Sequence, residues 1–219
     1  MGSVRLPGKS LMDIGGHPVL WHVLNRLRRC TALTSIVVAT TTKTEDDLIE
    51  TAASGWGYPV FRGPNEDVLT RYVRAARQFR ADVVVRVTAD CPLIDPGICF
   101  DVVRALSRDD DFASNSVVRT YPRGLDCEAM HIDTLRKIDR LATSPNDREH
   151  VTLYAYRTEP ERFKTRVVKD HADNSEENWC VDTIDDLERV RQIVKVCGYD
   201  AGWREILDRR SMWSKRSVA

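Results

Sequence analysis

Residues 82–90 read DVVVRVTAD, a β-branched run ended by an aspartate and the Cys91-Pro92 stop. A strand apolar on both sides must be covered on both faces, so the segment predicts a strand central in a parallel sheet. Helical and strand signals alternate around it. Pro18 opens an amphipathic helix with Val19, Leu20, Val23, Leu24 and Leu27 on one face. SIVVAT (35–40) predicts a buried strand, and TEDDLIETAA (44–53) a helix capped by Thr44 with Asp47 three residues on. Val60 and Phe61 predict a short strand, after which Asn65 caps a helix carrying Val68, Leu69, Tyr72, Val73, Ala76 and Phe79 on one stripe. Asp95 and Pro96 start a further helix to about Leu106. This order implies an α/β fold: an open, mostly parallel sheet with helices on both faces.

The pattern loosens from about 112 to 181, where FASNS, CEAMHI and FKTRVV predict strands around a helix near 147–157. Thr183-Ile184-Asp185-Asp186 begins the last long helix, and the polar, basic tail after Leu207 is expected to fray. With no internal repeat or linker, residues 1–219 read as a single domain. Lys+Arg 33 against Asp+Glu 33 gives no electrostatic footprint for nucleic acid. No apolar run reaches the length of a membrane span and no signal-peptide pattern opens the sequence, so the expectation is a soluble, cytoplasmic protein without a membrane partner. The six cysteines are scattered without a C-x-x-C pair, which indicates reduced, mostly buried thiols.

The opening stretch, MGSVRLPGKS, has the composition of a phosphate-gripping loop, but it is not a Walker A motif. Five residues separate Gly2 from Gly8 instead of four, and LMDIGG follows where a helix should start. What remains is a glycine-containing loop with two cations, Arg5 and Lys9, suited to a polyphosphate; its alternative is a solvated basic terminus. Ligands of open α/β sheets bind beyond the carboxyl ends of the strands. Asp90 stands at such an end, and Asp182 ends WCV (179–181) before a helix. Each could be an N-cap. Together they could hold Mg²⁺, which takes oxygen ligands and leaves the rest of its shell to nucleotide phosphates.

GSVRLPGKSL, VRVTADCPLID and WCVDTIDDLE resemble the three signature segments of the cytidylyltransferases that activate acidic sugars, the family of the CMP-N-acetylneuraminate and CMP-Kdo synthetases. VFRGPNEDVLTRY, ASNSVVRTYPRGLDCE and NDREHVT resemble the branch of that family named after the spore-coat polysaccharide biosynthesis protein F. The likeness covers nearly the whole chain, in order. It implies a Rossmann-like nucleotidyltransferase fold, a homodimer, and Mg²⁺-dependent formation of a CMP-sugar and pyrophosphate from CTP and a sugar. By this resemblance residues of about 1–111 form the nucleotide half and about 112–181 the sugar-binding and dimer-contact part. The C-terminal helices then cover 182–207 and the tail 208–219.

Carried onto matching positions, Arg5 and Lys9 contact the triphosphate, Asp90 and Asp182 hold the metal, and Gly2 and Ser3 bring backbone to the nucleotide. Arg62, Gly63 and Thr88 are further nucleotide positions. RTYPRGLDCE supplies Arg119, Tyr121, Asp126 and Glu128 as sugar-binding candidates, with Asn115 at the edge of the pocket and Arg148 and His150 from REH. Arginine suits a carboxylate bidentately and carboxylates suit hydroxyls; a polar hairpin, or a salt-bridged helix surface for Arg148 and His150, is the alternative. His17 and Trp179 are read as structural, and Asp109-Asp110-Asp111 as a solvated turn.

The resemblance also implies a strand before the opening loop, between the strands matching 35–40 and 82–89. Its absence here leads to the expectation that Met1 is internal to a longer natural chain, the alternative being a truncated chain that is inactive or repaired by a partner strand. Two other functions remain open: a sugar-1-phosphate nucleotidyltransferase using another nucleotide, and a non-catalytic nucleotide-sugar-binding protein. A glycosyltransferase is disfavoured because a lone Asp90 stands where a D-x-D pair would be needed.

Overall fold

The glycine pair of LMDIGGHP makes a small hairpin in the computed structural model, which describes residues 5–214. In it β1 (Asp13–Ile14) turns into β2 (His17–Pro18). There follow α1 (Val19–Leu27), β3 (Val38–Thr41), α2 (Asp47–Gly55), β4 (Val60–Gly63), α3 (Val68–Gln78), β5 (Val83–Arg86) and α4 (Pro96–Ala105). The second half holds β6 (Phe112–Ser114), β7 (Glu128–His131), α5 (Ile132–Leu141), α6 (Pro145–His150), β8 (Thr165–Val167), α7 (Ile184–Cys197), α8 (Trp203–Asp208) and α9 (Arg210–Trp213).

The architecture is α/β, as the alternation implied, with parallel and mixed pairing. β3 and β4 are parallel, Val38 facing Val60. The larger sheet runs β5-β7-β6-β8, antiparallel in its first two pairs and parallel in the third. The reading of 82–90 as a central parallel strand is corrected. Among the described residues β5 has a ladder on one edge only, antiparallel to β7, and no ladder joins it to β3. Apolar residues on both faces report the layers above and below a strand, not the neighbours beside it.

Side-chain chemistry sets the helix ends. Asp95 caps α4, its carboxylate accepting from the amides of Gly97 (2.8 Å) and Ile98 (3.2 Å). Thr183 and Asp186 form a capping box at α7. Two expected caps move. Asn65 stays in the loop while Asp67 accepts the Thr70 amide at 2.8 Å. Thr44 makes no cap, because the chain enters α2 through a 3₁₀ turn and Asp46 turns back to the Thr40 hydroxyl at 2.7 Å. The helix expected near 147–157 is broken at Val151, whose φ of +59° is foreign to a helix, and a wide π-type turn (Tyr154–Thr158) follows. The tail forms α9 and buries Trp213 where fraying was expected. The aspartate run holds a turn, but its middle residue is buried: Asp110 accepts from the Ser107 hydroxyl at 2.6 Å and pairs with Arg166.

The main apolar cluster joins α1, α4, α7 and α8 through residues such as Val23, Ile98, Trp179, Val190 and Trp203. A second lies under α3 and α5 with Phe112 and Met130, and a third joins Leu20 and Leu24 to Val38, Ile49 and Ala53. Arg26 is buried within the first of these layers. It donates to the carbonyls of Ile94 (2.6 Å), Tyr199 (2.6 Å) and Ala201 (2.8 Å), fastening α1 to the segments around α4 and α8. Burial pulls its guanidinium down to about 10. Replacing Arg26 by Met would strand buried carbonyls, at a cost of about 3 kcal/mol or more in urea unfolding. A loss within experimental error of zero would show that the guanidinium is not a brace.

Candidate active site

Three segments far apart in sequence meet at the carboxyl end of β5. Gly8, at φ +74°, turns the chain into a 3₁₀ turn (Lys9–Leu11). Lys9 is therefore aimed by a tight turn and not by the start of an α-helix, in agreement with the rejection of a Walker A loop. Its ammonium lies 2.8 Å from Asp90 Oδ2 and 2.9 Å from Asp182 Oδ1, with 13% of the side chain exposed. Arg5 reaches the same Asp182 oxygen at 3.0 Å and is 66% exposed, so it can turn to a ligand at little cost.

Neither aspartate is a helix cap, which resolves the alternatives the sequence left. Thr183 caps α7, and Asp186 accepts the backbone amide of Asp182 at 3.2 Å. Asp95 caps α4, so the Asp90 carboxylate is left for Lys9, the Thr88 hydroxyl (2.6 Å) and the Cys91 thiol (3.5 Å). The two strand ends are tied by the Val181 amide donating to the Asp90 carbonyl at 2.8 Å. The buried thiols of Cys91 and Cys180 touch at 3.8 Å beneath them.

Burial would raise the Asp90 carboxyl, but Lys9, Thr88 and Cys91 outweigh it and hold it below the usual carboxylate range. Burial would likewise lower the Lys9 ammonium, and the two aspartates outweigh that and raise it. The cluster is thus a fixed arrangement of charges with two carboxylates converging on one cation.

The acceptor candidates divide. Arg119 and Asp126 form a two-pronged ion pair (Nη2–Oδ2 2.8 Å), with the guanidinium within electrostatic reach of Cys180 and Cys91. Asn115 is a buried brace, donating to Leu125 O and accepting from the Cys127 amide, both at 2.8 Å, which closes the loop between them. Tyr121 is core: burial raises its hydroxyl, and its ring packs edge-on to Trp203. Glu128 is buried between Arg86 (2.7 Å) and the Thr152 hydroxyl (2.9 Å). His150 is exposed, and its carbonyl accepts the Thr152 amide at 2.6 Å across the strained Val151.

Arg148 is held by Asp67 and Asp139, each at 2.8 Å, and clamps α3 to α5 and α6. Arg62 is bound by Asp47, Glu50 and the carbonyls of Thr41 and Lys43, which fastens β4 to α2 and does not bring it to Lys9. Gly63 is a close-approach position, where a Cβ would lie 2.8 Å from Phe61 and 2.9 Å from Arg71. Gly2 and Ser3 lie outside the described residues. His17 stacks on Trp21 at 3.7 Å and Trp179 is fully buried, both in structural roles. Sequence reasoning passed over Arg86 and Thr152, the holders of Glu128. The signal for Arg86 was there, a charge inside VVVRV, since a charge so placed must have a partner.

A basic loop meets two strand-end carboxylates here, at the position where open α/β folds bind ligands. The sequence profile of the family described as cytidylyltransferase matches residues 1–202. The spore coat polysaccharide biosynthesis protein SpsF of Bacillus subtilis is 30% identical over 213 residues, covering 90% of this chain and 84% of that protein. A solved cytidylyltransferase from Leptospira borgpetersenii superposes with a TM-score of 0.93 at 31% identity, over 100% of this chain and 95% of that one. A CMP:2-keto-3-deoxy-manno-octonic acid synthetase, complexed with CTP, shares the fold at TM-score 0.67 and 22% identity, over 89% and 95% of the two chains. The chain belongs to the cytidylyltransferase family and is a nucleotidyltransferase enzyme.

Gly124 supports this site. At φ +97° its backbone lies against the segment that carries Asp182, and a Cβ would meet the Trp179 carbonyl carbon at 2.7 Å. Gly124→Ala should therefore cost about 2 kcal/mol or more in chemical unfolding, since backbone cannot yield as a side chain can; a neutral result would mean that the contact relaxes freely. The Asp90 ion pair has its own signature. With the folded pKa depressed, its stabilisation is present above the unfolded value of about 3.9 and is lost as pH falls through the folded one. The gap in urea midpoint between the wild type and Asp90→Asn should narrow from about pH 6 to about pH 3. A constant gap would show that the pair adds nothing to stability.

Proposed function

We propose that this enzyme transfers the cytidylyl group of CTP to a hydroxyl of an acidic sugar, releasing pyrophosphate and forming a CMP-sugar for polysaccharide synthesis. The convergence of Lys9 on Asp90 and Asp182 carries the reading. The sugar hydroxyl oxygen attacks the α-phosphorus while the bond to the β-phosphate oxygen breaks, a step that needs alignment and charge neutralisation more than a covalent nucleophile. Lys9, with two of its N–H groups on carboxylates, keeps a third for a phosphate oxygen, and the exposed Arg5 adds a mobile cation. Arg119, pre-oriented by Asp126, suits the carboxylate of the sugar.

The donor set suits Mg²⁺: two hard carboxylates already share one cation, the Lys9 ammonium. Among the described residues no third His, Cys, Asp or Glu completes a metal site, so phosphate oxygens would fill the remaining shell. When bound by Asp90 and Asp182, Mg²⁺ would neutralise triphosphate charge. A cytoplasmic homodimer, checked by light scattering, belongs to the same proposal. Among the described residues no helix is long and apolar enough to cross a membrane.

The test is thermal stabilisation by CTP, UTP, GTP and ATP with Mg²⁺, followed by pyrophosphate release across acidic and neutral sugars. Stabilisation selective for CTP is expected, and Asp90→Asn should lower kcat about a hundredfold or more. Stabilisation by UTP or GTP instead, or turnover of neutral sugars alone, would overturn the reading.

A further inference from the structure

Beneath the two aspartates the thiols of Cys91 and Cys180 meet, 3.8 Å from Sγ to Sγ. Cys91 directly follows Asp90, and Cys180 stands two residues before Asp182, so each sulfur is tied by a short backbone to a carboxylate that Lys9 holds. Backbone contacts fix the encounter. The Val181 amide donates to the Asp90 carbonyl at 2.8 Å, which sets the two segments side by side. The Cys91 amide donates to the Thr88 carbonyl at 3.3 Å and the Cys180 amide to the Asn178 side chain at 3.1 Å. A sulfur–sulfur bond is about 2 Å long, so closing the gap needs a shift of less than about 2 Å shared between two short side chains. The layer above the pair is open to solvent in part, the Asp90 and Asp182 side chains being 25% and 19% exposed. Cys30, Cys99 and Cys127 also lie together, but inside the main apolar cluster.

We propose that Cys91 and Cys180 form a redox modification site: a two-electron oxidant of the peroxide class joins them in a disulfide, and a dithiol reductant separates them again. Cys180, 8% exposed against 1% for Cys91, is the sulfur that meets the oxidant. It attacks one peroxide oxygen, the O–O bond breaks, and water leaves behind a sulfenic acid. The Cys91 sulfur then attacks the Cys180 sulfur. The S–O bond breaks, and the departing hydroxide takes the Cys91 proton as a second water. Two thiols are thereby oxidised and one peroxide is reduced to two waters. The hydrogen bond to Cys180, with burial, pushes the Cys91 thiol up, which leaves it to this second step, where its target is already in contact. In the reduced protein the Cys91 thiol donates to Asp90 Oδ1 at 3.5 Å and touches the Thr88 hydroxyl at 3.2 Å. A disulfide has no S–H to donate, and forming it draws the residue after Asp90 toward the segment that carries Asp182. On the proposed function, oxidation therefore switches the enzyme off by shifting both carboxylates against Lys9; the bond itself does not depend on that reading.

The test treats the full chain with a small excess of hydrogen peroxide, alkylates the remaining thiols, digests it without reduction and maps the peptides by mass spectrometry. A cross-link between the Cys91 and Cys180 peptides is expected, lighter than the two thiol peptides by two hydrogens and removed by dithiothreitol. Mapping the unaltered chain decides this without any variant. Alkylated Cys91 and Cys180 after peroxide, a sulfinic acid on Cys180 without a cross-link, or a cross-link among Cys30, Cys99 and Cys127 in its place would overturn the site. Pyrophosphate release from CTP should fall about tenfold or more on oxidation and return with dithiothreitol, while Cys180→Ser should keep its turnover through the same treatment. Full turnover by the cross-linked chain, or equal loss in Cys180→Ser, would overturn the switch. A reduced chain that turns over no CTP would count against the proposed function, and the peptide map would still decide the pair.

Discussion

The ammonium of Lys9 joins three distant parts of the chain through one charge. It bridges Asp90, at the end of β5, and Asp182, before α7, and it belongs to a loop at the other end of the sequence. Each carboxylate is partly buried, and two such charges side by side would repel without a cation between them. The positive charge is therefore a structural requirement of the resting protein and, on the proposed function, a chemical asset of the working one. On the proposed function, a polyphosphate bound here would meet cations held in place by counter-charges, so that little reorganisation would be required.

The frame behind this cluster is built so that its charges stay uncommitted. The α7 cap is made by Thr183 and Asp186 and the α4 cap by Asp95, which spares Asp182 and Asp90 from the role that aspartates at helix starts usually take. Backbone ties set the spacing of the strand ends: Val181 to Asp90, and Trp179 to Arg123 at 2.8 Å, the latter approach open only because residue 124 is glycine. Elsewhere the charges are spent on architecture. Arg26, Arg62 and Arg148 each satisfy several acceptors and pin elements that the apolar clusters also bring together.

This division explains what was legible in the sequence. Helix faces follow from periodicity, and α1 and α3 fall close to where the apolar stripes put them, α4 and α7 where their start signals do. Strand-end carboxylates follow from topology, so Lys9, Asp90 and Asp182 could be singled out before any geometry was known. The fate of an arginine or tyrosine could not, because its partners lie scores of residues away. Arg148 answers to Asp67, and Tyr121 to Trp203. Caps failed where two candidates stood close together: both Asn65 and Asp67 satisfy the local rule, and only the path of the loop chooses between them.

The strand that carries Asp90 was misjudged for a related reason, and the error bears on function. Apolar faces told of helices above and below β5 and nothing of its flanks, one of which opens onto a cavity toward β3. Asp90 is placed by the strand behind it, and Lys9 by the loop ahead of it. The Lys9 bridge therefore joins by charge what the strand and the loop position separately.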